Sequence, residues 1–278
     1  MIGPGGNGPA AAVQSRRLGS RVDRSPSARA PRAIPHAANS KEDHDSPPPL
    51  IEVVAGCLEG AGVAQWGVAA CPDEPWPYGP ALPRAVSIGV ALAPEAIGPV
   101  EAGPTPTYFA EYRRANDVLW ETAQRLATAL ESHGATAVPL RPTIGPTVGD
   151  KQAVDMTAAG VFAHKTAATQ AGLGWIGKTA IFVSPRLGPW LRLATVFTDA
   201  DLPTGEPITE GGCAKCRRCV DACPVGAGRD AQWLAGMPRA ELLDVVACMD
   251  ENERHVEAGG LCGICVSVCP FGRRLLRG

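Results

Sequence analysis

Eight of the ten cysteines of this 278-residue chain crowd between Cys213 and Cys269, and their spacing sets the chemistry they can do. The first group reads Cys213-Ala-Lys-Cys216-Arg-Arg-Cys219-Val-Asp-Ala-Cys223-Pro224, the pattern C-x2-C-x2-C-x3-C-P. The second reads Cys262-Gly-Ile-Cys265-Val-Ser-Val-Cys269-Pro270, or C-x2-C-x3-C-P, with Cys248 upstream. Cysteines two residues apart on a tight loop can each reach a separate iron corner of a cubane. The cysteine three residues further on lies on a helical turn that points away and ligates the neighbouring cluster, as in the bacterial two-cluster pattern. The spacing therefore predicts two [4Fe–4S] clusters, one on Cys213, Cys216, Cys219 and Cys269, the other on Cys223, Cys248, Cys262 and Cys265. In the second set the long stretch from Cys248 to Cys262 replaces the usual two-residue step. Zinc ribbons use two C-x2-C pairs with four cysteines to a metal, and do not require the longer run ending in C-P. Arg217 and Arg218 lie inside the first loop, and Arg273 and Arg274 follow the second. These guanidinium groups either stabilise reduced clusters and steer an acidic electron donor such as flavodoxin or ferredoxin, or form a solvated face.

A second unusual stretch runs Ala163-His-Lys-Thr-Ala-Ala-Thr-Gln-Ala-Gly-Leu-Gly-Trp-Ile-Gly-Lys178. Val161, His164, Ala168 and Ala171 share a nearly bare helix face that something bulky can approach. Gly172, Gly174 and Gly177 would let backbone amides approach a ligand, and Lys178 either pairs with a cofactor group or is solvated. The register is not that of a dinucleotide-binding G-x-G-x-x-G turn opening a helix. Asp155 either donates a proton, as a carboxyl kept protonated in an apolar pocket can, or caps the helix that begins there. His164 is the other candidate acid, or else a hydrogen-bonded core histidine. Cys57 and Cys71 stand apart, and Cys57 falls on an apolar helix face, as a buried cysteine does.

The elements that must position these groups follow from periodicity. Residues 1–48 are rich in Gly, Pro, Ala, Ser and Arg without apolar periodicity, and six arginines face one acid in the first forty residues. This composition predicts a disordered tail. From Leu50 to Leu58 apolar residues repeat at helical spacing, and Val63–Ala70 and Ala85–Leu92 read as strands. Tyr108–His133 is the longest helix candidate, with Tyr112, Leu119, Ala123, Leu126 and Leu130 as its apolar stripe and Gly134 as its stop. Ala135–Leu140 is a short strand, Asp155–Ala171 a helix, and Trp175–Ser184 and Trp190–Thr198 two more strands. Alternation of this kind predicts an α/β (α+β) domain over 49–202, followed by a ferredoxin-like module over 203–278. Net charge is −2, which gives no general pull toward nucleic acid. The best apolar stretch, Ala85–Val100, is interrupted by Pro94, Glu95 and Pro99 and is too short to cross a bilayer. Arg16–Arg17 is not followed by the apolar run an export signal needs, so a cytoplasmic, reducing location is expected, in which clustered cysteines stay free to hold metal.

The run Ala171-Gly-Leu-Gly-Trp-Ile-Gly-Lys178, followed by strands and a two-cluster module, resembles the epoxyqueuosine reductases, a family related to the corrinoid-dependent reductive dehalogenases. The likeness spans Leu50 to Gly272 in the order of elements and is sharpest over His164–Lys178 and Cys213–Phe271. It implies a base-off cobalamin bound against the α/β domain, clusters that relay electrons to its cobalt, and a modified-nucleoside or other small-molecule substrate. The family carries its general acid in a Val-Asp-Thr-Ala-Pro stretch. The nearest match here, Val154-Asp155-Met156-Thr157, lies a few residues upstream, and an ungapped alignment puts Ala158 at the acid's place. The family's Glu after that stretch is replaced near His164–Lys165. The chain ends at Gly278, before the helical repeats associated with tRNA in that family, so tRNA is not the expected substrate. The remaining alternative is a two-cluster electron carrier whose α/β domain binds a partner and holds no corrinoid.

Overall fold

A computed structural model of the chain describes residues 48–71, 77–142, 162–257 and 259–277. The segment expected to form the tail lies outside the described residues apart from Pro48, as does Asp155; of the helix expected over Asp155–Ala171 the described residues are helical only over His164–Gln170, with Ala163 extended. The architecture is the expected one, a mixed helix-and-sheet region followed by a cysteine-rich ferredoxin-like module.

The chain enters through α1 (Leu50–Leu58), which buries Val54 and Leu58 and is stopped by Gly60 and Gly62, both at positive φ. Strands β1 (Val63–Ala70) and β2 (Arg84–Ala91) follow, then a one-turn α2 (Pro94–Ile97) and the long α3 (Pro106–Ser132). The Thr105 side chain caps α3 by accepting from the Tyr108 backbone N–H, and Pro106 fills the first turn where no N–H is needed. Its buried face carries Tyr108, Ala115, Leu119, Ala123, Leu126 and Leu130. Tyr112, expected in that stripe, is only half-buried and instead receives the Arg192 guanidinium over its ring at 4.1 Å. The heptad step from Tyr108 to Ala115 keeps Tyr108 on the buried side, and Tyr112 sits one position off it.

Strand β3 (Ala137–Leu140), helix α4 (His164–Gln170), the two-residue strands β4 (Trp175–Ile176) and β5 (Phe182–Val183), and β6 (Leu191–Thr198) complete this region. The main sheet is antiparallel throughout, in the order β1-β2-β6-β3. Its two faces separate by alternation. Val86 and its partner Val196 join the core under α3, while Ala85 and its partner Phe197 pack with Ala167 and Ala171 of α4. Each fully buried leucine of α3 contributes roughly 1.5–3 kcal/mol to that core.

The single strand expected over Trp175–Ser184 is instead the hairpin β4–β5. Gly177 donates to the Ile181 carbonyl, and the turn between them places Ala180 at φ 57. The apolar run conceals the turn because its reversal is made by Gly177 and a left-handed alanine, without the usual Asn or Pro.

The segment from Leu202 to Gly212 is pinned down: Gly205 donates to the Val68 carbonyl and Ile208 to that of Thr169. The module then forms four one-turn helices, α5 (Arg218–Asp221), α6 (Arg239–Leu242), α8 (Ile264–Ser267) and α9 (Pro270–Arg273), around one longer helix, α7 (Val245–Glu257). It seats directly on the sheet region. The Trp190 indole donates to the Val266 carbonyl at 2.9 Å. A Cβ on Gly188 would lie 2.2 Å from the Gly272 nitrogen, so the two segments meet backbone to backbone. No helix among the described residues is long and apolar enough to cross a membrane.

Candidate metal centre

The eight clustered cysteines line two adjoining chambers. Cys213, Cys216, Cys219 and Cys269 surround the first, with Thr179, Ile181, Val183 and Phe271 filling its walls. Cys223, Cys248, Cys262 and Cys265 surround the second, with Thr179, Ala180, Ile181, Leu243 and Glu251. Cys265 also borders the first chamber. These are the two sets of four that the spacing predicts. Cys223 leaves its own loop for the second chamber, and Cys269 leaves its own for the first. Helix α7 explains the long gap before Cys262. It carries Cys248 in its first turns, runs out, and returns through a turn at Gly259–Gly260, where the Asn252 side chain accepts from the Cys262 N–H at 3.1 Å.

The donor set suits an iron–sulfur cube. Among the described residues no three His, Cys, Asp or Glu side chains converge as ligands of a single ion do; the thiols stand around wider spaces. Burial pushes the thiols upward: Cys269 to about 11, Cys265 further still, and Cys219, Cys248 and Cys262 in the same direction. Opposing this are donors aimed at sulfur, which favour the thiolate and lower the electron density a cluster must hold. The N–H groups of Phe271 and Gly272 address Cys269, the Thr179 hydroxyl addresses Cys219 and Cys265, the Ala227 N–H lies 3.3 Å from Cys223, and the Trp175 indole lies 3.5 Å from Cys213. Thr179, at the tip of the β4–β5 hairpin, thus touches both chambers. Nothing in its local sequence marks that role, which depends on the hairpin being folded between two loops more than thirty residues downstream.

The residues expected to meet a cofactor are placed differently. Gly172 has φ 74, and a Cβ there would lie 2.6 Å from the Glu206 carbonyl oxygen; at Gly174 it would lie 2.2 Å from that of Val183. A Cβ on Gly177 would sit 3.1 Å from Val183 and 3.6 Å from the Cys213 sulfur. These glycines admit the chain's own backbone and the first cysteine loop. Lys178 is buried and its ammonium meets the Asp230 carboxylate at 2.7 Å, and Asp230 also pairs with Arg217. His164 has both ring nitrogens engaged: Nε2–H donates to the Arg141 carbonyl at 2.9 Å, and Nδ1 accepts from the Thr195 hydroxyl at 3.0 Å. Burial holds it neutral, with its pKa lowered to about 4. Asp155 lies outside the described residues.

A further cavity of about 330 Å³ opens between α4 and residues 233–242. Lys165, Thr166, Thr169 and Gln170 form one wall, Trp233, Met237 and Arg239 the other, with Ala180 and Ile176 below. Arg239 and Ala180 also line the second thiol chamber, so the cavity and that chamber share a wall. The Lys165 ammonium donates to the Ala180 carbonyl at 2.7 Å. Burial, aided by the charge of Arg239, lowers its pKa to about 8.

Residues 212–272 match the family described as a 4Fe-4S double cluster binding domain. A curated epoxyqueuosine reductase of Synechococcus sp. (strain RCC307) is 35% identical over 112 residues, 39% of this chain and 34% of that protein. This chain is similar to the epoxyqueuosine reductases over part of its length. Another such enzyme, from Synechocystis sp. (strain ATCC 27184 / PCC 6803 / Kazusa), is 28% identical over 179 residues, 60% of each chain. Matches to these curated relatives thus cover between about a third and three fifths of their length. In fold, this chain is similar to a reductive dehalogenase whose structure is described as suggesting a mechanism for B12-dependent dehalogenation. That similarity has a TM-score of 0.63 at 22% identity and covers 87% of this chain and 35% of the other.

Proposed function

We propose that this chain is an iron–sulfur reductase that takes electrons from an acidic carrier protein of the flavodoxin or ferredoxin kind and passes them through two [4Fe–4S] clusters to an acceptor beside the second cluster. The observation that carries the reading is the pair of four-thiol chambers joined by Thr179, Ile181 and Cys265, the second of which shares a wall with an open, polar-sided cavity. Clusters held against the same side chains exchange electrons over a short protein path, and an acceptor in the cavity is separated from the second cluster by little more than Arg239 and Ala180. The cysteines Cys213, Cys216, Cys219 and Cys269 hold the first cluster; Cys223, Cys248, Cys262 and Cys265 hold the second. Thiols kept free to hold clusters suit a reducing compartment, and the cytoplasm is the proposed location.

The relatives support a corrinoid as the acceptor that works on the organic substrate. When bound, a corrinoid supplies a cobalt centre that reaches the low oxidation states organic reductions need. Lys165, Thr166 and Gln170 offer an ammonium, a hydroxyl and an amide to the amide-bearing rim of such a macrocycle, whereas Gly172, Gly174 and Lys178 are already engaged within the chain. A modified nucleoside or another small organic molecule is the proposed substrate class. With His164 neutral and doubly hydrogen-bonded, Asp155 is the proposed proton donor, and Asp155→Asn should slow turnover while His164→Gln leaves it near the parent value.

The inward engagement of Gly172, Gly174 and Lys178 favours one second reading, a two-cluster electron carrier without corrinoid. Anaerobic reconstitution separates the two. About eight irons per chain and two reducible cluster signals are expected in either case. Cobalt retained after incubation with cobalamin and desalting supports the reductase, whereas loss of all cobalt leaves the carrier. A colourless protein binding zinc alone would overturn both.

A further inference from the structure

Two buried indoles sit where the sheet region meets the cysteine module, and they are used differently. Trp190 donates to a backbone carbonyl, that of Val266. Trp175 donates to sulfur: its Nε1 lies 3.5 Å from the Cys213 Sγ, which belongs to the first set of four thiols. An indole N–H is a donor only, and a buried one needs an acceptor. Sulfur is a weak acceptor while it is a neutral thiol and a stronger one once it carries the charge of a thiolate. The bond is therefore most effective with the first set in its metal-holding form.

Both loops that supply the first set hold the indole in place. A Cβ on Gly212, next to Cys213, would lie 2.8 Å from the ring, so the first loop passes flat against it. Phe271, two residues after Cys269, meets it edge-on with ring centroids 5.0 Å apart. In the β4–β5 hairpin Trp175 is paired with Val183, which itself lines the first chamber. A hydrogen bond to a cluster sulfur strengthens as negative charge gathers there, so it favours the reduced cluster and raises its potential. Other donors act differently. Thr179 lines both chambers and so singles out neither. The Ala227 N–H reaches Cys223 of the second set, but that donor belongs to the backbone and is supplied by any residue except proline. The indole is a donor chosen by side chain, and it is placed at the first set.

We propose that Trp175 is a positioning residue of the first cluster, and that its indole N–H, acting through the Cys213 thiolate, raises that cluster's reduction potential relative to the second. The proposal deepens the reductase reading and rests on its assignment of the first cluster to Cys213, Cys216, Cys219 and Cys269. The difference in potential between the clusters decides how readily an electron received at one moves on to the other. One buried side chain sets part of that difference.

The test uses full-length protein reconstituted under argon. Trp175→Phe keeps an aromatic ring and removes the N–H. Replacement of Trp175 by benzothienylalanine, in which sulfur stands in for the N–H, keeps the bicyclic shape as well. Redox titration followed by electron paramagnetic resonance reads each midpoint, with the signals assigned through Cys216→Ser for the first cluster and Cys248→Ser for the second. Both replacements should make the first cluster about tenfold harder to reduce, a negative shift of about 59 mV for a one-electron couple. The second midpoint should stay in place, and iron in the benzothienylalanine protein should match the parent. If Trp175→Phe alone loses iron, the benzothienylalanine protein decides. A first midpoint that is unmoved or moves positive in that protein, or an equal shift of both clusters, overturns the proposal and leaves the reductase reading intact. Loss of iron from both replacements assigns the indole to packing and also overturns it. Absence of two cluster signals from the parent protein overturns the reductase reading, and the proposal falls with it.

Discussion

The sheet region and the cysteine module are held together by different means. Around α3 the order comes from apolar contact: Leu119, Leu126, Leu130, Ile88 and Val86 are completely buried, and a 27-residue helix spans one face of the sheet. The module has four helices of only four residues each, too short to persist alone, and its eight cysteines are half-exposed around two chambers. Its residues are placed to hold something, while those of the sheet region are placed against one another. One region is ordered by apolar contact; the other is arranged around two thiol-lined chambers and is completed by its inorganic contents, as small metal-binding units commonly are.

That contrast is most directly broken at Cys265, which borders both chambers. Cys265→Ala should abolish the second cluster and destabilise the first, dropping iron to well under half of the parent content. Cys57→Ser, outside the module, should leave iron unchanged. Equal iron in both variants would erase the distinction between the regions. In the scaffold, Leu126→Ala should cost about 2–5 kcal/mol through the cavity it leaves. Chemical denaturation measures the loss, and iron content after reconstitution in the cold should stay near the parent value.

His164 sharpens the comparison through pH. Its pKa falls from an ordinary 6.5 to about 4 in the fold, so the unfolded chain takes up a proton that the folded chain refuses. Stability from this group is therefore complete above about 6.5 and is lost as pH falls toward 4, by up to about 3 kcal/mol. Melting temperatures of the parent and His164→Gln should diverge over that window and run parallel above it. The smallest effect belongs to Lys178. Lys178→Met leaves Asp230 its contact with Arg217 and should cost about 1 kcal/mol. If Lys178 touches no cofactor, cobalt retention in this variant equals that of the parent.

The two regions were also unequally legible in the sequence. β1 runs Val63–Ala70 as read from its apolar pattern, and α3 begins two residues before its expected start because Thr105 and Pro106 form a cap that the apolar stripe does not register. The cysteine grouping could be read because cluster geometry fixes residue spacing, even for Cys248, whose gap is bridged by α7. The glycines of the Gly172–Gly177 run are accounted for by close approach within the chain. A glycine reports that something comes close, but sequence does not say whether a ligand or the chain itself does. Here the Glu206 and Val183 carbonyls do. Arg239 and Thr179 gave no local signal, since their meaning arises only where segments distant in sequence share a wall.

The exchange of Cys223 and Cys269 between loops bears on how the protein is filled. Neither chamber can close its ring of four until the other loop has been drawn across, so the first cube to be inserted prepares the way for its companion. Underfilled preparations should then be mixtures of complete and bare molecules, with few carrying a lone cube, and absorbance per milligram would count working copies.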